Sequence, residues 1–273
     1  MLIHKQNIII RRKGFVGLML LLVAFVAPVQ ADNISNQMNG ITLSTTRVIY
    51  PHDAKNGVTY SVTNNTSSAY LLQALILPWE GQAPSSPEDE GKSPNLNSDE
   101  TQGIGSFIVL PPLQRFEPGE TVTLRIRQKH NLLAQDKETI EVLSLTAIPA
   151  QADPKTLTNN NAAQLSMVLQ NNLKLFYRPA GIPDYQIEKV EEQLQFSQTK
   201  TQLIVKNPTP FYVTFSSLSL GGKAVDISNA RMIAPFSEQY WPLDNRATNN
   251  EVRWQLIDDK GGTYEANSRH LTQ

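Results

Sequence analysis

The sequence predicts an all-β protein built as two β-sandwiches. Apolar residues recur with period two from residue 41 onward, turn chemistry interrupts them at short intervals, and no long segment carries a helical period. The extended candidates are 41–50, 57–64, 70–77, 106–110, 121–127, 139–148, 165–177, 202–206, 212–218 and 252–257, all rich in Val, Ile, Leu, Thr and Tyr. Between them lie Pro51-His52-Asp53, Asn64-Asn65, Glu117-Pro118-Gly119-Glu120, Asn207-Pro208-Thr209-Pro210, Gly221-Gly222 and Gly261-Gly262, residues that fit turns because they supply fixed or positive φ and local hydrogen bonds. Many short strands without interleaved helices indicate sandwiches. The 273 residues accommodate two of them.

The first segment is of another kind. Lys5, Arg11, Arg12 and Lys13 precede an uncharged apolar run from Phe15 to Val29, and Val29-Gln30-Ala31 offers a small-residue cleavage site. A membrane anchor is the competing reading, but a span needs about 20 apolar residues and this run is shorter. Residues 1–31 therefore read as a secretory signal peptide, so that the mature protein is exported and not membrane-embedded. Removing that segment changes the charge balance. The formal −1 of the whole chain becomes −5, because 20 bases then face 25 acids. Such a body lacks the excess of bases with which nucleic-acid binders neutralise phosphates.

The first sandwich is expected over 40–178 and the second over 184–273. Between them, Arg178-Pro179-Ala180-Gly181-Ile182-Pro183 ends a long strand with two prolines and a glycine. Residues 80–105 hold three prolines, six acids and no aromatic residue, which reads as a loop insertion within the first sandwich. Residues 129–138 have room for one or two helical turns.

Catalytic chemistry finds no constellation. The absence of cysteine excludes disulfides, thiol catalysis and iron–sulfur ligation. His4, His52, His130 and His270 have no ligand spacing for a metal, and no Gly-x-Ser-x-Gly elbow exists to pair with His130. Gly91-Lys92-Ser93 resembles the end of a phosphate loop, but Ser86 stands where its first glycine is required. The reading is a non-enzymatic protein with no cofactor, no metal and no use of ATP.

Two features remain. In Ala163 to Leu169 the residues Ala163, Leu165, Met167 and Leu169 share one face of an extended strand. Such a strand either packs on its own core or, starting from the polar loop 153–161 at an exposed edge, adds itself to another protein. Arg47 and Lys174 each interrupt an apolar strand. Each either snorkels to water or meets an anion, and together in one cleft they would form a two-point carboxylate receptor.

A set of motifs now becomes informative in its order along the chain. Thr45-Thr46-Arg47-Val48-Ile49-Tyr50-Pro51, Pro111-Pro112-Leu113-Gln114-Arg115-Phe116-Glu117-Pro118-Gly119, Gln135-Asp136-Lys137-Glu138, Ala147-Ile148-Pro149, Leu173-Lys174-Leu175-Phe176-Tyr177-Arg178-Pro179 and Asn207-Pro208-Thr209-Pro210-Phe211-Tyr212-Val213-Thr214 together resemble the PapD-like periplasmic chaperones of pilus and fimbrium assembly. The resemblance spans about residues 40–265. It implies two immunoglobulin-like domains in an L or boomerang arrangement, with a cleft between them. It further implies a periplasmic protein that stabilises pilus or fimbrial subunits by donor-strand complementation and delivers them to an outer-membrane usher.

By the same resemblance, Arg47 and Lys174 anchor the subunit's C-terminal carboxylate. Ala163, Leu165, Met167 and Leu169 belong to the donated strand, and Glu138, Arg178 and Asp259 form a structural interdomain charge cluster. The chain departs from the family where a Pro-Tyr-Leu-x-Gln-x-Trp strand is usual: Ala69-Tyr70-Leu71-Leu72-Gln73-Ala74-Leu75 lacks both the proline and the tryptophan. Glu141 and Val142 occupy usually aromatic positions. The short loop before Leu165 resembles the branch whose clients form rod-like pili. A secreted immunoglobulin-like adhesive or structural surface protein is the alternative; it leaves Arg47 and Lys174 without a purpose.

Overall fold

A computed structural model of the chain describes residues 40–80, 105–129, 133–150, 167–243 and 250–271. The segment 1–31 read as a signal peptide, nearly all of the 80–105 insertion, His130, Ala163 and Leu165 lie outside them. The described residues form β-strands throughout, with one short helix.

The first sandwich packs two sheets. One has the order β1 (Ile41–Leu43), β3 (Val58–Asn64), β7 (Thr121–Gln128), β5 (Phe107–Leu110); the other runs β2 (Arg47–Pro51), β9 (Leu169–Arg178), β8 (Thr139–Pro149), β4 (Tyr70–Pro78), β6 (Leu113–Phe116). Alternation explains how they face each other. In β7 Val122, Leu124 and Ile126 point inward while Thr121, Thr123 and Arg125 point out, and Leu72, Ala74 and Ile76 of β4 meet them from the opposite sheet. Tyr50, Phe107 and Tyr177 close one end of this core with ring centroids 4.9–6.1 Å apart.

The period-two run over 41–50 predicts one strand, and the structure divides it. β1 pairs with β3, and β2 joins the other sheet beside β9. The chain crosses at Ser44-Thr45-Thr46, where the Tyr60 hydroxyl donates to the Thr45 carbonyl at 2.5 Å and the Thr45 hydroxyl donates to the Arg47 carbonyl at 2.6 Å. Hydroxyl-to-backbone bonds of this kind satisfy the groups that the ladder loses at the crossing. The described part of 129–138 holds no helix either. The helix α1 lies at Ile187–Gln193 and buries Ile187 and Val190, three residues apart on one face.

In the second sandwich β10 (Gln195–Gln198), β11 (Gln202–Lys206) and β15 (Glu238–Pro242) form one sheet. The other has the order β13 (Lys223–Ala224), β12 (Val213–Leu220), β16 (Glu251–Leu256), β17 (Asn267–His270), and β14 (Met232–Ile233) pairs with β12. Leu203, Val205, Phe215, Trp241, Val252 and Trp254 fill the space between them.

Both sandwiches use one local device. Asn64, fully buried, donates its amide to the carbonyls of Ser68, Phe116 and Glu117, and its Oδ1 accepts from the amide and hydroxyl of Thr66. Asn207, also fully buried, donates to the carbonyls of Phe211 and Ala234 and accepts from the amide and hydroxyl of Thr209. An Asn two residues before a Thr thus satisfies the interior of a tight corner, where a buried backbone group left alone is costly. Replacing Asn64 or Asn207 with Ala strands those groups; each change is expected to destabilise its sandwich by about 2–4 kcal/mol, at about 1–3 kcal/mol per unsatisfied group after relaxation. Urea unfolding of each variant measures this, and a loss below about 0.5 kcal/mol would show that the corners hold without the asparagines.

Candidate functional site

One sheet edge differs from every other pairing among the described strands. β2 runs parallel to β9, and its register sets Arg47 opposite Lys174, Ile49 opposite Phe176 and Pro51 opposite Arg178. Val48 and Tyr50, together with Leu175 and Tyr177, face the core, so alternation puts Arg47, Lys174, Phe176 and Arg178 together on the outer face. The two cations that interrupt apolar strands are therefore neighbours. That outer face meets the second sandwich.

Arg47 is partly buried. Its guanidinium lies 5.5 Å from the Phe176 ring centroid, one terminal N–H donates to the Ile257 carbonyl at 3.4 Å, and its buried Nε has no hydrogen-bond partner among the described residues. Lys174 projects into a cleft of about 580 Å³ that Trp79, Tyr212 and Ile233 also line. Neither cation takes part in an ion pair among the described residues. Burial lowers the pKa of both, and for Lys174 the charge of Arg47 lowers it further. Two desolvated cations lie side by side, one with a donor that has no partner among the described residues. A carboxylate there would accept charge-assisted hydrogen bonds from both and relieve their mutual repulsion.

Next to this pair one cation bridges two carboxylates. Arg178 donates through Nε to Glu138 at 2.8 Å and makes a two-pronged contact with Asp259, 2.7 Å on each side. The other oxygen of Glu138 accepts the Tyr212 amide at 2.8 Å, and the Glu138 amide donates to the Pro210 carbonyl at 2.8 Å. The guanidinium also stacks 4.1 Å from the Tyr185 ring centroid, with Phe211 further off at 5.6 Å. Glu138 and Arg178 come from the first sandwich, Asp259, Tyr212 and Tyr185 from residues beyond Pro183. Burial pushes the Glu138 carboxyl up, to about 7, against the pull of Arg178 and the Tyr212 amide. For Arg178 burial acts downward and is outweighed by its bonds to Asp259 and the charge of Glu138, which hold it above the ordinary range.

The hydrophobic row lies on the same strand. Positions 169, 171, 173, 175 and 177 share one face of β9; Leu173, Leu175 and Tyr177 are buried core, whereas Leu169 is 40% exposed and Met167, two residues before the strand begins, is 66% exposed. β2 pairs only with Lys174–Arg178. From Leu169 to Leu173 one edge of β9 is therefore paired to β8, and no described strand covers the other. Leu169 and Asn171 sit beside the buried Ala147 and Leu145 of β8, so the exposure lies at the lateral edge of the sheet.

Several residues at this junction escaped the sequence reading. Tyr212 acts through its backbone and Tyr185 through its ring face, neither of which leaves a side-chain pattern. Trp79 has its ring centroid 5.2 Å from Lys174 Nζ. Gly261 has φ +83°, and a Cβ there would overlap the Thr46 hydroxyl across the junction. Its Gly-Gly context signals a turn but not that contact. Among the described residues no group of three His, Asp or Glu is placed to hold a metal, and no helix is long and apolar enough to cross a membrane.

Comparison with known families agrees with this architecture. Residues 40–183 match the N-terminal domain of the family described as pili and flagellar-assembly chaperone, PapD, and residues 189–268 match the C-terminal domain of the pili assembly chaperone PapD. The chain belongs to this family of PapD-like pilus-assembly chaperones, whose members are not enzymes. Among relatives, chaperone protein PsaB of Yersinia pestis is 29% identical, with 84% of this chain and 83% of the relative covered. Chaperone protein HifB of Haemophilus influenzae is also 29% identical, covering 84% and 87%. The chaperone in a Salmonella enterica complex of SafA pilin with SafB superposes with TM-score 0.66 at 26% identity, over 85% of this chain and 96% of that one. The Escherichia coli chaperone DraB gives the same score and identity over 85% and 97%.

The Thr46 and Gly261 contact is open to a direct check. Gly261→Ala combines a positive-φ penalty with a clash, for an expected loss of about 2–3 kcal/mol. Adding Thr46→Ala removes the overlapping oxygen and should recover about 1 kcal/mol or more in a double-mutant cycle read by urea unfolding. Strict additivity of the two changes would show that the two residues do not meet.

Proposed function

We propose that the protein is a periplasmic chaperone that captures fimbrial subunits through their C-terminal carboxylate and completes their fold with its own β9 strand. Delivery to an outer-membrane usher follows from the same reading. The observation that carries it is the pairing of Arg47 with Lys174, two partly buried cations outside any ion pair among the described residues, at the head of a strand edge that no described strand covers. The SafB chaperone, similar in fold, occurs in complex with a pilin. Ala163 and Leu165 extend the row of Met167 and Leu169 in this proposal.

The energetics suit reversible capture without ATP. Burial of Met167 and Leu169 contributes about 1.5–3 kcal/mol each before ordering costs, and backbone pairing along β9 adds affinity with little sequence preference. The carboxylate supplies what backbone pairing lacks. It fixes where the client chain ends, and a slip of one residue would turn every client side chain to the wrong face. Glu138, Arg178 and Asp259 hold the two sandwiches in the arrangement that keeps Arg47 and Lys174 facing the cleft.

Arg47→Ala and Lys174→Ala are expected to abolish co-purification of a subunit from periplasm while the variants stay folded, and Met167→Glu to weaken it. Mass spectrometry of what co-purifies with the tagged wild type should find a small exported protein with an incomplete β-sandwich. Undiminished capture by both cation variants would sink the anchor, and recovery of the chain itself in fibres would favour the adhesive reading. Capture should also depend on pH with a definite sign. The Lys174 ammonium loses its proton below the ordinary lysine range because of burial and Arg47, so binding weakens as pH rises through that lowered value. Lys174→Arg should shift the loss to higher pH, since a guanidinium stays charged there.

A further inference from the structure

We propose that Trp79 is a positioning residue for Lys174, holding its ammonium over the cleft by a cation–π contact so that it meets an incoming carboxylate already extended. The placement follows from the register. Lys174 pairs with Val142 of β8, and Val142 pairs with Leu77 of β4, so the three lie in one row across the outer face of the sheet. Trp79 stands two residues beyond Leu77, and alternation returns its ring to that face. Arg47 approaches Lys174 from the β2 side and Trp79 from the β4 side. Pro78, still paired to Glu141, stiffens the turn of chain that carries the indole.

The physical need is specific to this site. Lys174 has a flexible four-carbon stem, a desolvated head and a guanidinium beside it, and no acid among the described residues is within ion-pair distance. The other charged residues lining the cleft are Glu80, Arg231 and Glu238, and neither acid forms an ion pair with Lys174. The face of an aromatic ring attracts the ammonium without neutralising it. An acid would do the opposite and consume the charge that the carboxylate needs. Trp79 is 38% exposed, so its role is at the cleft and not in the core.

This inference rests on the reading of Arg47 and Lys174 as a carboxylate receptor, and the test separates the two. Lys174 is titrated in the full chain by ¹³Cε NMR, and capture is measured with the subunit that co-purifies with the wild type. Trp79→Ala is expected to lower the Lys174 pKa further and to weaken capture roughly two- to thirty-fold, the range a cation–π contact supports. Trp79→Phe, which keeps a ring face, should recover most of both. An unchanged Lys174 titration in Trp79→Ala, or tighter capture by that variant, would overturn the proposal. If Lys174→Ala captures the subunit normally, the receptor reading fails, while the titration still decides whether Trp79 governs the ammonium.

Discussion

The parallel pairing of five residues of β2 with the end of β9 is the constraint on which the site depends. A parallel ladder places residues side by side in fixed register, and here that register brings Arg47 and Lys174 together from positions far apart in the chain. Their side chains cannot turn inward, because Val48, Tyr50, Leu175 and Tyr177 occupy the core side of the same two strands. They meet on the outer face, close enough that the charge of Arg47 adds to burial in disfavouring the charge on Lys174. β2 is also short. It stops pairing at Lys174, so the strand edge beyond is open where the cation pair ends.

The neighbouring cluster of Glu138, Arg178 and Asp259 solves a different problem with the same kind of residue. Arg178 is saturated by five contacts, three to carboxylate oxygens and two to ring faces, while Arg47, four pairs away in the ladder, keeps a donor without a partner among the described residues. Breaking a buried, paired charge is costly, which suits a joint between sandwiches. Leaving one underused suits a receptor. Gly261 against Thr46 and the Arg47 bond to the Ile257 carbonyl tie the cation pair to the joint, so the geometry of the one sets the geometry of the other.

Much of the fold was legible because half-buried strands have to alternate. The β7 and β4 patterns can be read directly from Thr121–Gln128 and Tyr70–Pro78. The crossing at Ser44–Thr46 was not, since period two continues through it and only hydroxyl-to-backbone bonds mark the break. The helix at Ile187–Gln193 spans too few residues to establish a period. At the site, Arg47 and Lys174 stood out individually as cations in apolar strands, but their adjacency depends on a parallel register between residues more than a hundred positions apart, which no local pattern encodes. Trp79 carries no signal of its own in the sequence; its relation to Lys174 arises from two strand pairings in succession.

The central claim is that the cation pair reads a chain end. The most direct measurement compares the affinity of the wild-type protein for its subunit carrying a natural C-terminal carboxylate with that for the same subunit bearing a C-terminal amide. The account predicts a loss of roughly ten- to hundredfold or more for the amide, since two charge-assisted hydrogen bonds at about 1.5–3 kcal/mol each are removed in part. It also predicts that Arg47→Ala no longer distinguishes the two forms. Equal binding of carboxylate and amide by the wild type would contradict it.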